Sequence, residues 1–394
     1  VSGDLSGLTA GGALQLTTVG PLLVLEQVTS HGPLDVRSIG DLSIAAHVTS
    51  GGGSLAVTTG GFFVLSNGAT VTSGGGVLTV SAANQLDLAP GTSIAAGAGT
   101  VTLAAGGSVT LSAVSSLGLV QVTAGGSIID GDPGGMAAIA AGQAALKAGG
   151  SIGSASTPLQ IAVANLEASA GGNIHLANIA TSPLTVGGVS GGLSGLTAGG
   201  ALQLTTLGPL LVLEQVTSHG PLDVHSIGDL SIAAHVMSGG GSLAVTTGGS
   251  LELSNAAALA SGGGTVTVSA ANHIVLAPGT SISADAGTVT LAAGGSATLS
   301  AVTSLGLVQV TVGGSIVDGD PGGTAAIAAG QAALVAGGSI GSASVPVQIA
   351  VSDLEASAGG AIYLSNILTS QLTIGGVSGD LSGLTAGGAL QLTT

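Results

Sequence analysis

Cysteine is absent from the 394 residues, and with it go disulfides, thiol catalysis and thiolate metal sites. Tryptophan is absent too. The aromatics are Phe62, Phe63 and Tyr363 alone, so nearly the whole surface lacks a ring on which a base or a sugar would stack. Positive charge is almost missing: Arg37 and Lys147 stand against 18 acidic residues, for a formal net charge of −16. Contacts to a phosphate backbone or an anionic bilayer need clustered Lys or Arg, which excludes nucleic acid and anionic lipid as partners. Long apolar runs are missing as well. Gly, Ser and Thr interrupt each one before the roughly 18 residues of a membrane span, so no membrane insertion is expected.

What remains is a chain rich in Leu, Ile, Val and Ala, with 73 glycines. That apolar content is enough for a continuous core and argues against disorder. The chain is also a long repeat. VSGDLSGLTAGGALQLTT at 1–18 returns as VSGGLSGLTAGGALQLTT at 189–206 and again as VSGDLSGLTAGGALQLTT at 377–394, a period of 188 residues (189 − 1 and 377 − 189). No Pro-rich or charged linker separates the copies. The division is therefore 1–188 as one repeat, 189–376 as a second and 377–394 as the start of a third, and arrays of this kind build length. The chain opens and closes in mid-repeat, so it reads as a segment of a longer polypeptide with its targeting information elsewhere.

A shorter period runs inside the long one. Apolar pairs separated by one residue recur at Leu14/Leu16, Leu34/Val36, Leu55/Val57, Leu78/Val80, Val101/Leu103 and Val120/Val122. Alternation is the strand signature, and the first members are 20, 21, 23, 23 and 19 residues apart. A second series follows at Leu22, Leu42, Phe63, Leu86, Val109 and Ile128, and a third at Val28, Val48, Val71, Ile94 and Val114. Three inward positions per turn, separated by Gly-rich corners, predict an all-β parallel β-helix (β-solenoid) with three short strands per coil of about 21 residues. Parallel crossovers favour the right hand. At one strand spacing per coil, each long repeat should rise roughly 43 Å and the whole chain roughly 90 Å. Corners such as TAGGS at 123–127 and KAGGS at 147–151 call for glycine, through positive φ or close approach.

The two copies test this register against each other. Inward differences stay apolar: Phe63 to Leu251, Leu78 to Val266, Leu86 to Ile274, Leu159 to Val347, Val186 to Ile374. Outward ones change class: Val64 to Glu252, Gln85 to His273, Asp87 to Val275, Lys147 to Val335. Between about 130 and 190 the pattern blurs. MAAIAAGQAALKA at 136–148 is Ala-rich, which allows a short helix or a bulging loop; the favoured reading is a loop at 130–142 and a returning strand at 144–146.

Chemistry-bearing residues are few. DGDPGG at 130–135 and 318–323 is the acidic cluster, and Asp130, Asp132, Asp318 and Asp320 offer hard oxygens to calcium; Asp, Gly and Pro are also what turns select, and the turn is the favoured reading. The histidines at 31, 47, 175, 219, 225, 235 and 273 form no zinc spacing and read as corner or surface residues. The Gly-rich strings carry no GKS or GKT of a phosphate loop. Polysaccharide-cleaving β-helices bring carboxylates and cations together on one strand face, whereas Asp35, Asp41 and Asp87 are scattered. Thr-x-Thr at 70–72, 100–102, 265–267 and 288–290 is expected not to repeat on one face in consecutive turns, so β-propensity explains it better than an ordered-water ladder. No catalytic, cofactor-binding or metal residue is assigned, no cofactor is implied, and an enzyme is not expected.

TVTLAAGGSVTLSA at 100–113, LVQVTAGGSIID at 119–130 and GGGSLAVTTGGSLELSN at 239–255 resemble the repeats of giant bacterial surface and secreted proteins, the filamentous-haemagglutinin-like adhesins. The likeness covers essentially the whole chain. It implies an extracellular or cell-surface β-helix, and zero cysteine fits such an exported chain. The expected function is structural: a segment of a very long tandem-repeat β-solenoid forming a fibre, stalk or sheath, with an adhesin rod binding a glycan, cation or host surface as the alternative. The expected partner is the chain itself, by axial continuation or stacking and by lateral bundling through outward Leu23 and Leu211.

Overall fold

The computed structural model describes residues 7–189, 192–378 and 380–394. Residues 1–6, 190–191 and 379, which carry the start of the first repeat and parts of both later junctions, lie outside them. The chain divides into two compact units, Val1–Gly200 and Ala201–Thr394. Each is a parallel β-solenoid of roughly 22 residues per turn, without a helix among the described residues.

In the first unit three ladders of parallel strands wind around one core. Ladder A stacks Leu14–Thr18, Leu34–Ser38, Leu55–Thr59, Leu78–Ala82 and Val101–Ala105. Ladder B stacks Leu22–Val24, Leu42–Ile44, Phe63–Leu65, Leu86–Leu88, Val109–Leu111 and Ile128–Asp130. Ladder C stacks Leu8–Ala10, Val28–Ser30, Val48–Ser50, Thr70–Ser73 and Ser93–Ala95. Each strand alternates between core and surface because side chains on a pleat point to opposite faces. Leu55, Val57, Leu78, Val80, Val101 and Leu103 are fully buried, whereas Thr102, Asp87 and Lys147 face outward. The second unit repeats the plan, with Leu243, Val245, Val266, Val268, Val289 and Leu291 buried in the same places. The inward series read from the sequence is the core in both units except at the end coils, where Leu14, Leu16 and Leu22 at the start of the first unit are only half-buried. Ile374 is 43% exposed on the last coil of its unit, where no further strand is stacked on it, while Val186 at the same place in the period is buried.

The blurred region proves to be solenoid. Ala113–Ala124 is a single 12-residue strand that fuses ladders C and A, with a register shift between Ser116 and Leu119 where the corner would be. Ile139–Ala148 and Leu159–Ala170 stack on it in turn, and ladder B shrinks to single bridges through Ile128, Ile152 and Ile174. The expected loop at 130–142 is therefore too long, and no helix forms. Strand resumes at Ile139, which lies opposite Val114 on one side and Ile161 on the other. Pairing on both edges and burial of Ile139, Ala144 and Leu146 outweigh the helix propensity of alanine.

The first unit extends past 188 because Leu196–Ala198 pairs with Ala168–Ala170, so residues after the sequence period turns over complete a coil that began before it. The second unit does the same, with Leu384–Ala386 on Ala356–Ala358.

Corner hydroxyls tie coil to coil. Ser38 Oγ donates to Gly20 O (2.9 Å), Ser50 Oγ to Gly32 O (2.9 Å) and Ser73 Oγ to Gly53 O (2.9 Å). Ser226, Ser238 and Ser261 do likewise to Gly208, Gly220 and Gly241 in the second unit. A second column runs through the AGGS corners: Ser127 N donates to Ser108 Oγ, Ser151 N to Ser127 Oγ and Asn173 N to Ser151 Oγ, at 3.0–3.1 Å. These hydroxyls satisfy the corner carbonyls and amides that leave the sheet ladders and would otherwise be buried unpaired.

Candidate functional site

The DGDPGG loops leave ladder B at its last full strand. Asp130 is buried and both carboxylate oxygens are used: Oδ1 accepts from Asp132 N (3.1 Å) and Oδ2 from Gln160 N (3.1 Å). Asp318 repeats this with Asp320 N (3.0 Å) and Gln348 N (3.0 Å). One oxygen shapes the turn, and the other reaches across the loop to the start of the strand Leu159–Ala170, or Val347–Ala358 in the second unit. This is the turn reading in detail, with the carboxylate acting as a backbone acceptor. Asp132 and Asp320 sit half-buried at the base of the exposed residues 133–136 and 321–324. Among the described residues no group of three or more His, Asp or Glu side chains is placed to hold a metal ion.

Two glutamates missed in the sequence prove more distinctive. Glu167 and Glu355 are 1% and 2% exposed, on the long strands Leu159–Ala170 and Val347–Ala358. Glu167 Oε1 accepts from Val189 N (2.8 Å); Glu355 Oε2 accepts from the N–H (2.8 Å) and the hydroxyl (3.2 Å) of Ser378. The Gly-Gly pairs just before these residues, with φ of 116° and 71° at Gly187 and Gly188 and 113° and 76° at Gly375 and Gly376, turn the chain into a backbone conformation that only glycine adopts freely. The result is a cradle of amides around a carboxylate. The backbone N–H of Ser378, helped by its hydroxyl and by the amides of Val377 and Gly376, holds the Glu355 carboxyl below its ordinary 4.5 against the opposing effect of burial. The signal was present: NLEAS and DLEAS place an acid inside an apolar strand in both copies, about 20 residues ahead of GGVS.

A folded-state value below the unfolded one means that this stabilisation is complete above the unfolded pKa and is lost as pH falls through the lowered folded value. Urea melts of the wild type and Glu355→Gln should therefore differ most near neutrality, the wild type being more stable. The gap should close on acidification through and below the ordinary carboxylate range. A gap that does not change with pH would mean that the cradle does not select the charged form.

Buried amides do similar work. Asn178 Oδ1 accepts from Val163 N (3.1 Å) and its Nδ2 donates to Val163 O (3.4 Å), and Asn366 makes the same pair with Val351. Each side chain stands in for a peptide unit beside a strand.

The remaining candidates do not converge. Asp35 lies on ladder A and Asp87 on ladder B, while Asp41 Oδ1 accepts from Phe62 N (2.9 Å) at a corner. His31 Nδ1 lies 3.1 Å from Ala10 O and so carries its proton there, whereas His273 Nδ1 accepts from Ser296 N (3.0 Å). His175 is buried, unlike the surface role expected of it. A surface groove along Ser283–Asp285, Thr303–Leu305 and Ala328–Gly330 contains one titratable residue, Asp285. Its counterpart in the first unit has Gly97 there and is lined by Ala, Gly, Ser and Leu117 alone. A single carboxylate supplies neither an acid/base pair nor a nucleophile with its base. Phe63 is core, which leaves Phe62 as the exposed aromatic of the pair.

Threonines stack more than expected. Thr9, Thr29, Thr49 and Thr72 occupy one outward column of ladder C over four consecutive coils, with the Thr49 and Thr72 hydroxyls 3.1 Å apart. Thr267 and Thr290, from two Thr-x-Thr segments, are also direct partners. The column is not kept in the second unit, where Thr217, Met237, Ala260 and Ser283 follow one another.

Among the described residues, no helix is long and apolar enough to cross a membrane. No family model, curated protein or solved structure matches the chain.

Proposed function

We propose that the chain is a structural segment of a very long extracellular tandem-repeat β-solenoid that builds a fibre, stalk or sheath on or outside a bacterial cell. The reading extends the resemblance to filamentous-haemagglutinin-like repeats, and one observation carries it. The corner serines, Asp130, Asp318, Asn178, Asn366 and Glu355 bond to the backbone of their own unit, and among the described residues no set of reactive groups converges on a cavity. Chemistry of this kind is spent on holding coils in register. Stability in such an array accumulates with each added coil, which suits a length-building element. The adhesin reading has less support, since Phe62 becomes Ser250 in the second copy, and in the acidic cluster that does recur Asp130 and Asp318 are turned to backbone amides. Binding of a glycan array by the purified chain would reverse that order.

Fibres of the native material should diffract with a strong axial spacing of about 4.8 Å, strands crossing the long axis. Strands running along the axis, or globular particles that do not lengthen as copies are added, would overturn the proposal.

The partner is the chain itself, by axial continuation and by lateral bundling. Leu23 is 58% exposed, between inward Leu22 and Val24, and Leu211 is half-buried at the same place in the second copy. With few charges to separate neighbours, such residues favour side-by-side contact. Leu23→Lys with Leu211→Lys should disperse bundles into single filaments in electron micrographs, with the folded spectrum kept. Wild-type filaments that are already separate at moderate salt would show that lateral contact plays no part.

A further inference from the structure

The chain contains two Asp–Pro bonds, Asp132–Pro133 and Asp320–Pro321, one per 188-residue period and both in the exposed DGDPGG loops. We propose that these are self-scission sites, which cut the chain once per period and leave the solenoid of each unit assembled. The proposal does not depend on reading the protein as a fibre.

The loop presents the bond in a reactive setting. Asp132 O, the carbonyl to be attacked, accepts a hydrogen bond from Gly135 N (3.0 Å), and Asp320 O accepts one from Gly323 N (2.9 Å). That donor withdraws electron density from the carbonyl and stabilises the oxyanion that forms on attack. The Asp132 carboxyl lies over the same glycine: a Cβ on Gly135 would be 2.6 Å from Asp132 Oδ2 and 3.2 Å from Asp132 O. At Gly323 the Asp320 carboxyl would meet a Cβ in the same way. Glycine therefore leaves room for the carboxyl to sit folded over the turn, beside its own carbonyl.

In the step itself, one Asp132 carboxyl oxygen attacks the Asp132 carbonyl carbon and closes a five-membered ring. The bond from that carbon to Pro133 N breaks. The carboxyl proton passes to the departing nitrogen, whose tertiary amide makes it more basic than an ordinary peptide nitrogen. The cyclic anhydride is then opened by water, giving a chain that ends at Asp132 and a new N-terminus at Pro133. No oxidant or reductant is needed, and carboxylates act as nucleophiles in this way when held against the reacting carbon. Asp130, two residues earlier, supplies the contrast: its carboxylate is buried, hydrogen-bonded to two amides and followed by Gly131.

A cut here need not open the fold. Ile128–Asp130 stays paired with Val109–Leu111, and Ile139–Ala148 stays between Ala113–Ala124 and Leu159–Ala170. In the second unit Ile316–Asp318 and Ile327–Ala336 are held in the same way.

The purified full chain, held warm at about pH 4 where carboxyl groups are partly protonated, should yield on a denaturing gel and by intact mass the pieces 1–132, 133–320 and 321–394. The middle piece is one period long (320 − 132 = 188 residues). Before denaturation the cut chain should elute with the uncut one. Asp132→Ala with Asp320→Ala should slow cleavage about 100-fold, since the nucleophile is removed. The Asp→Glu pair, which needs a larger ring, serves if the alanine variant does not fold. The folded loop should also cleave about tenfold faster than the free peptide Gly-Asp-Pro-Gly-Gly, because the groups are already positioned. Cleavage at other bonds, an unchanged rate in the variants, or a rate no faster than the peptide's would overturn self-scission. Fragments that separate without denaturant would overturn the claim that the solenoid stays assembled.

Discussion

Leu103→Asp should destabilise the fold by about 3–5 kcal/mol, the cost of an unpaired charge in a dry interior. Its neighbour Thr102→Asp should change stability by less than about 0.5 kcal/mol. The two residues are adjacent on Val101–Ala105, yet Leu103 is fully buried between Val80 and Val122 while Thr102 points outward between Thr79 and Gln121. A carboxylate at 103 would find apolar side chains from the coil before and the coil after, with no cation in reach, since the chain carries only Arg37 and Lys147. Denaturant melts of the two single variants give the comparison directly. Equal losses would mean that the inward and outward faces of ladder A are misassigned.

That assignment was legible in the sequence because a solenoid writes its core with a period of two inside a period of about 21. Each coil repeats the message, so Leu34/Val36, Leu55/Val57 and Leu78/Val80 vouch for one another. The long repeat added a second check, since a core position such as Leu86 changed only to Ile274. What stayed hidden was of two kinds. In 113–170 the corner between two ladders disappears, strands reach 12 residues, and alanine fills both faces, so the alternation that marks a strand fades. Pairing partners, which the local sequence does not name, decide the structure there.

The second hidden class is polar. Glu167, Glu355, Asn178 and Asn366 are buried acids and amides whose partners lie 15 to 23 residues away. Their roles depend on the register of neighbouring coils, and a one-residue error in register would assign them to solvent. Asp130 and Asp318 were legible as turn residues by composition alone. The amide of Gln160 or Gln348, 30 residues on, that completes each site was not. For function the sequence spoke mainly through absences, and the geometry adds that its scattered carboxylates remain scattered.

Corner glycines serve by two mechanisms, positive φ and close approach of neighbouring coils, and substitution separates them. Gly149→Ala should cost about 3 kcal/mol, near the upper end for forcing an extra methyl into a packed site. Its φ is not in the left-handed region; the obstacle is the neighbouring coil, since a Cβ on Gly149 would overlap the Gly125 carbonyl oxygen and lie 3.1 Å from its carbon. Gly125 stands in the same relation to Gly106, and Gly171 to Gly149, so the corners form a stack of backbones packed without side chains between them. The neighbour cannot yield, because Gly149 N donates to Ala124 O (2.9 Å) and Gly125 N to Ala105 O (2.9 Å), fixing both coils at the strand spacing. Gly12→Ala is the matched control: a Cβ there meets nothing within 4 Å, and its φ is ordinary. That substitution should be neutral or slightly stabilising, by up to about 1 kcal/mol, through the reduced freedom of the unfolded chain. Thermal melts that show the two alanine variants equally stable would mean that the corner is held open by something other than contact between coils, and the explanation of the AGGS motif would fall with it.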